Sequence, residues 1–286
     1  MKMTKILFGI SLLLLASCKQ QSGIEKKLSP NFLRYVNPFI GTSNYGATNP
    51  GAIAPRGMIN VSPFNVSGLQ NSFEKDSRWL STPYVYENTF LTGFSHVNLS
   101  GVGCPDLGVI LTMPTNGGLE TNPQKYGSTY SNEVAKAGYY STILDKYDIK
   151  VEATATTRTG VSNYFFPKGK SNILINLGLG LTNEQGGSVK VVSSTEIEGI
   201  RQVGSFCYYK PEESYPLYFV AKFNKPSNEF GIWENSVKQK GVESQWMTYN
   251  GKTRLYKNYR KEIIGDSIGA YMSYDFKEPT SVEVKI

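Results

Sequence analysis

Between Tyr139 and Pro167 the side chains repeat with a period of two, which no helix can place on one face. Tyr139 to Leu144 reads as a strand, Asp145 to Asp148 as a turn, Ile149 to Arg158 as an alternating strand, Thr159-Gly160 as a turn, and Val161 to Phe166 as a returning strand. Three strands joined by turns this short can only pair antiparallel. The same period with turn punctuation recurs over Val189 to Ser193, Glu196 to Val203, Tyr215 to Phe223, Gly269 to Phe276 and Ser281 to Ile286. Ile173 to Leu177 is a nearly continuous apolar run, the signature of a strand buried on both faces. No amphipathic segment of helical period competes. The sequence therefore predicts an all-β fold, a large antiparallel β-sandwich of two sheets packed face to face.

The stretch from Tyr35 to Gly118 differs, being rich in Gly, Pro, Asn and Ser with little alternation, and reads as a loop-rich N-terminal portion. Loops held on a rigid sandwich are where binding residues concentrate. With 13% aromatic and 19% charged residues the chain can fill a core and is not of disordered composition.

Residues 1–17 have the order of a secretory signal, Lys2 and Lys5 preceding an apolar run that ends at Leu15-Ala16-Ser17. Cys18 follows at once, a pattern resembling the bacterial lipobox, in which the cysteine is acylated and becomes the new N-terminus. Residues 18–32 read as a lipid-anchored tether and 33–286 as the sandwich. The expected address is an outer-membrane lipoprotein, because Lys19 argues against inner-membrane retention; periplasmic and cell-surface display both remain open.

The net charge of +7 is mostly leader, since residues 1–27 hold five lysines against Glu25. No clustered basic stripe remains to neutralise a row of phosphates, so nucleic acid is not an expected partner. Cys104 and Cys207 either pair or stand as buried thiols; two cysteines make no disulfide framework. One histidine, His96, and no CxxC exclude a zinc site of ordinary ligand type.

Three groups of residues resemble signatures of glycoside hydrolase family 92, the calcium-dependent exo-α-mannosidases. They are Val36 to Thr42 with Gly46 to Ala52, Pro55 to Met58 and Ser62-Pro63; Gly93 to Asp106 with Met113-Pro114; and Ala137 to Ser141 running on to Arg158-Thr159-Gly160 and Phe166-Pro167. Tyr218-Phe219-Val220 and Gly269-Ala270-Tyr271 extend the resemblance. It implies a galactose mutarotase-like supersandwich serving as the N-terminal domain of an α-1,2-mannosidase, forming one wall of the mannose pocket and packing on an (α/α)₆ catalytic domain. By that resemblance the sugar-facing residues are Asn44, Tyr45, Thr48, Arg78, Trp79, Ser95, His96, Asn98, Ser100, Gly101, Gly103 and Cys104, with Arg78-Trp79 as the flat platform. Many relatives carry a second histidine where this chain has Asn98.

In the family the catalytic acid and base and most of the calcium site lie in the barrel. No catalytic residue is therefore assigned within these 286 residues; alone they are expected to be inactive and to need no cofactor, the partners being an α-mannoside glycan, a catalytic domain in cis or in trans, and a membrane through Cys18. Chemistry agrees, because an inverting glycosidase needs two opposed carboxyl groups about 6.5–9.5 Å apart. Asp106, Asp145 and Glu152 are scattered among strands and turns. The alternative is a free-standing, non-catalytic glycan-binding lipoprotein. A mutarotase-like enzyme is disfavoured by the single histidine. An exposed apolar patch is expected where a barrel would dock.

Overall fold

The computed structural model describes residues 31–43, 46–68, 70–71, 81–101, 103, 105–181, 186–204, 214–239, 247–257, 262–265 and 267–286. Residues 1–34 and 35–286 form two separate units. The first is described only over 31–34, which open the 3₁₀ turn Phe32–Tyr35.

The larger unit holds two broad sheets, every pairing of which is antiparallel. The first sheet has the order β1 (Ala52–Ile53), β2 (Asn60–Phe64), β4 (Gly93–Ser95), β7 (Leu111–Asn116), β12 (Gly169–Asn176), β19 (Ile268–Phe276), β16 (Glu229–Gln239) and β17 (Met247–Lys257). The second runs β18 (Glu262–Gly265), β13 (Gly187–Ser193), β14 (Glu196–Val203), β15 (Tyr215–Phe223), β20 (Thr280–Lys285), β11 (Gly160–Phe166), β10 (Ile149–Ala155), β9 (Tyr139–Leu144), β8 (Ser128–Lys136) and β3 (Phe90–Leu91). A small ribbon pairs β5 (Val97–Asn98) with β6 (Leu107–Val109). One helical turn, α1 (Pro123–Tyr126), is capped by the Asn122 side chain, which accepts the Gln124 N–H at 3.0 Å.

The predicted meander is β9–β10–β11. Its alternation has the expected cause: Ile149, Val151 and Ala153 enter the core while Lys150 and Thr154 face out. Asp148 closes the first turn at φ +50°, a left-handed conformation that Asp tolerates. Buried residues from both sheets form one continuous core, Leu174, Tyr271 and Trp233 from the first meeting Val151, Tyr164 and Ile197 from the second.

The two sheets differ in what covers them. Along β2, β4, β12 and most of β7 and β19 successive residues are buried, so these strands of the first sheet are enclosed on both faces. A second small core of Phe64, Val66, Val85, Leu111, Leu179 and Leu181 lies apart from the main one, between this sheet and the loops around Val85 and Leu179. The second sheet instead turns one face to water, where Lys190–Glu198, Lys222–Glu196, Lys150–Glu152 and Lys285–Glu283 pair at 2.6–3.3 Å.

The stretch from Tyr35 to Gly118 is loop-rich, as expected, and also holds short strands that the sequence does not announce. Segments 35–51 and 65–89 carry no strand among the described residues, yet the rest supplies four of the eight strands of the first sheet. These strands are only two to six residues long and contain Pro63, Gly93 and Pro114, and burial of β2, β4 and β7 on both faces removes the alternation by which strands are recognised.

Candidate functional site

The loops that follow β4 and precede β1 converge because three asparagines join them. Asn98 donates to the Asn60 carbonyl at 2.7 Å and accepts the Ser95 hydroxyl at 2.7 Å. Asn60 donates to Asn49 Oδ1 at 2.9 Å, and Asn49 reaches the Leu99 carbonyl at 3.5 Å. Gly101 N–H closes the circuit on the Ala47 carbonyl at 2.6 Å. A third loop joins through Thr82, whose hydroxyl donates to the Thr48 carbonyl at 3.0 Å, and Tyr86, whose N–H donates to Thr42 at 3.0 Å. Each bond contributes about 1 kcal/mol, and together they fix three loops as one body.

On that body the expected residues separate into two groups. Ser100, Gly101 and Gly103 are exposed and Thr48 and Asn98 are half-buried; Ser100 offers a hydroxyl and Gly103 a backbone amide at the surface, while the Asn98 amide, the Thr48 hydroxyl and the Gly101 N–H donate within the protein to Asn60, Ile40 and Ala47. Ser95 and His96 are buried, His96 to 1% exposure. Asn44, Tyr45, Arg78, Trp79, Cys104 and Cys18 lie outside the described residues, as does Cys207. The aromatic residues of the loop from 81 to 90 also divide: Tyr84 and Phe90 are buried, whereas Tyr86 is 56% exposed and stands edge-on to Phe39 at 5.9 Å. Tyr86 was not singled out by the sequence reading, and it is the flat exposed ring among the described residues of these loops. Ser43 donates to Glu87 beside it.

Beneath the loops the backbone is strained. Leu107 and Ile110 adopt φ +60° and +57°, and for a β-branched residue such as Ile110 this is an unfavourable conformation. Two buried side chains hold it. His96 Nδ1–H donates to the Ile110 carbonyl at 2.8 Å, and Asp106 Oδ1 accepts the Leu107 N–H at 2.7 Å. Burial raises the Asp106 carboxyl above its ordinary range, against the opposing pull of backbone N–H groups. His96 is pushed from 6.5 down to about 4 by burial, only partly opposed by its backbone bonds, so the ring is neutral at pH 7. It borders a cavity of about 390 Å³ that Arg158, Lys222 and Lys285 also line.

That shift fixes a pH dependence. A base whose pKa is lowered on folding contributes stability fully present above pH 6.5 and lost as pH falls through 4, on the order of 3 kcal/mol over the window. Urea unfolding at pH 7, 5.5 and 4.5 is expected to show this loss, and His96→Phe is expected to flatten the slope whatever it does to stability at pH 7. An unchanged slope would show that His96 does not carry it.

The carboxylates are occupied elsewhere. Asp145 sits in the β9–β10 turn accepting the Ser131 hydroxyl at 2.6 Å, and Glu152 lies on the outer face with Lys150 and Tyr139. Among the described residues no three Asp, Glu, His or Cys side chains gather where a metal ion could be held. What the loops can do is hydrogen-bond hydroxyl groups and cover a C–H surface.

Residues 35–286 match the family described as "Glycosyl hydrolase family 92 N-terminal domain". No curated protein matches the chain. Among solved structures it is similar to a family GH92 α-mannosidase from Bacteroides thetaiotaomicron determined with mannoimidazole, at 29% identity and TM-score 0.69, covering 89% of this chain and 32% of that one. The GH92 family glycosyl hydrolase ccman5 is similar at 25% identity and TM-score 0.67, over 89% and 32% of the two chains. A GH92 inverting mannosidase, also from B. thetaiotaomicron, shares the fold at 21% identity and TM-score 0.65, over 89% and 31%. The chain thus spans about a third of the length of these solved relatives.

Proposed function

Because the chain belongs to glycosyl hydrolase family 92, as its N-terminal domain, we propose that its interlocked loops form one wall of an α-mannoside pocket. Carbohydrate binding in glycan degradation is the role, and mannose the sugar. The observation that carries this reading is the exposed edge of Thr48, Ser100, Gly101 and Gly103, built from the family's own signature segments and held rigid by the Asn49–Asn60–Asn98 bonds. The Ser100 hydroxyl and the Gly103 amide can bond sugar hydroxyls at little entropic cost, the Thr48 hydroxyl oxygen can accept a further bond while donating to Ile40, and Tyr86 adds an apolar face.

Hydrolysis itself needs an opposed acid and base. In this reading they come from an (α/α)₆ catalytic domain, in cis or in trans, which also holds the calcium. Exposed Ile53, Met58, Tyr86 and Leu99 supply apolar surface near the loops for such a contact. Cys18 is the proposed acyl acceptor, which would place the domain on an outer membrane; fatty-acid labelling lost in Cys18→Ser tests that. Among the described residues no helix is long and apolar enough to cross a bilayer.

Amide chemical shifts recorded while titrating methyl α-mannoside into the chain test the pocket wall. Half a pocket is expected to bind at millimolar affinity or weaker, with shifts centred on Thr48, Ser100, Gly101 and Gly103. Shifts that spare these amides, or mannose release by the chain alone at enzymatic speed, would overturn the reading.

A further inference from the structure

The solvent face of the second sheet carries a feature that the pocket wall does not use. Across β13, β14 and β15 the register sets Ser188, Ile200 and Tyr218 side by side, and next to them Lys190, Glu198 and Val220. These six residues, with Gly199 and Phe219 between them, line a groove of about 430 Å³, inside the range of small-ligand sites. Tyr218 is 69% exposed although its strand neighbours Phe219 and Ala221 are buried in the core. The ring therefore stands on a rigid strand as a bare flat wall.

We propose that this groove is a second, non-catalytic saccharide-binding site, with the Tyr218 ring as its stacking platform. The proposal rests on the family reading for the ligand class; the groove's own chemistry narrows the occupant independently. Its charges are paired, Lys190 with Glu198 at 3.3 Å and, in the next row, Lys222 with Glu196 at 3.3 Å, so a charged ligand gains no net attraction. A neutral polyhydroxyl ligand gains most: its C–H face covers Tyr218, Ile200 and Val220 while its hydroxyls meet an ammonium donor and a carboxylate acceptor already in place.

Other occupants fit less well. β14 and β15 are interior strands with neighbours on both sides, so no backbone edge is free to take up a peptide as an added strand. Unlike the pocket wall, the groove is complete within one sheet and needs no second domain.

Native affinity electrophoresis of the whole chain in gels containing soluble α-mannan, or a β-1,3-glucan, tests this. Wild type is expected to be retarded by α-mannan, and Tyr218→Ala to weaken retention by about tenfold or more with an unchanged melting temperature, because the ring is exposed. Val220→Arg, which fills the groove from the neighbouring position, is expected to do the same. Retardation that Tyr218→Ala leaves untouched would overturn the groove and leave the pocket wall standing. Absence of retardation in every polymer would also overturn it, since half a pocket is not expected to retain a polymer. Tyr218-dependent retardation by β-glucan alone would support the groove while removing mannose from the functional reading. Self-association of wild type that Tyr218→Ala abolishes would make the groove a contact between copies and overturn the proposal.

Discussion

Replacing Gly269 by alanine is expected to lower the melting temperature by about 10 °C, the largest effect we anticipate from adding one methyl group to this protein. Gly269 on β19 lies directly opposite Trp233 on β16, and the Trp233 ring, wholly buried, lies across it. A Cβ there would come within 2.5 Å of Trp233 Cε2 and nearer still to Cζ2 and Cη2. A rigid ring packed on all sides cannot turn away, so the strands must part. Overpacking of this kind costs about 3 kcal/mol, and for a domain of this size each kcal/mol moves the midpoint by about 2–4 °C. The steric cause is separable from any backbone effect: Trp233→Leu is destabilising alone, by about 3 kcal/mol, but in that background Gly269→Ala should cost less than about 1 kcal/mol. Equal cost in both backgrounds, by scanning calorimetry, would remove Trp233 as the reason.

Glu133→Leu should cost about 3 kcal/mol and disturb the site as well. A bulge at Asn132, with φ +52°, breaks the β8–β9 register and turns Glu133 inward. There its two carboxylate oxygens accept the Tyr140 hydroxyl at 2.6 Å and the Tyr84 hydroxyl at 2.9 Å. Tyr130 beside them accepts Asn65 Nδ2–H at 2.7 Å and donates to the Asn88 carbonyl at 2.6 Å. Leucine would leave two buried phenols without an acceptor, each worth about 1–3 kcal/mol. Tyr84 belongs to the loop whose Thr82 and Tyr86 hold Thr48 and Thr42, so amide protection there should fall with it. Glu133→Gln keeps one acceptor oxygen and should lose about half as much. Burial raises the Glu133 carboxyl above its ordinary range, so its charged form is the strained one. The stability it contributes is fully present below the unfolded pKa near 4.5 and declines as pH rises through the folded value, opposite in sign to His96.

How much of this was legible follows from which faces meet water. The boundaries of β9, β14 and β15 coincide with the sequence reading; in β14 and β15 the outer residues are wetted and the alternation survives. β12 was legible for the converse reason, a continuous apolar run between two strands. The strands β2, β4 and β7 show neither signal. Asn60, Ser62, Ser95 and Thr112 are as buried as their apolar neighbours, the hydroxyls of Ser95 and Thr112 meeting Asn98 and Tyr164, and nothing in Asn-Val-Ser-Pro-Phe announces that. β8 was hidden by the opposite condition, wetting on both faces of much of Ser128–Lys136. At the site, motif resemblance located the loops but not their insides. His96 follows β4 directly and points into the protein, while the asparagine chain that shapes the surface joins positions 11 and 38 residues apart, a spacing no local pattern reveals.

The strand order also governs how the protein can come into being. In the first sheet β12 is flanked by β7 and β19, and β19, spanning Ile268–Phe276, is made almost a hundred residues after its partner. Until it emerges, β12 keeps one ladder of backbone groups unpaired, and an apolar open edge is a template for wrong pairing. Closure of this sheet is thus gated by β19, and a nascent polypeptide of this design keeps that edge of β12 open until translation has passed Phe276.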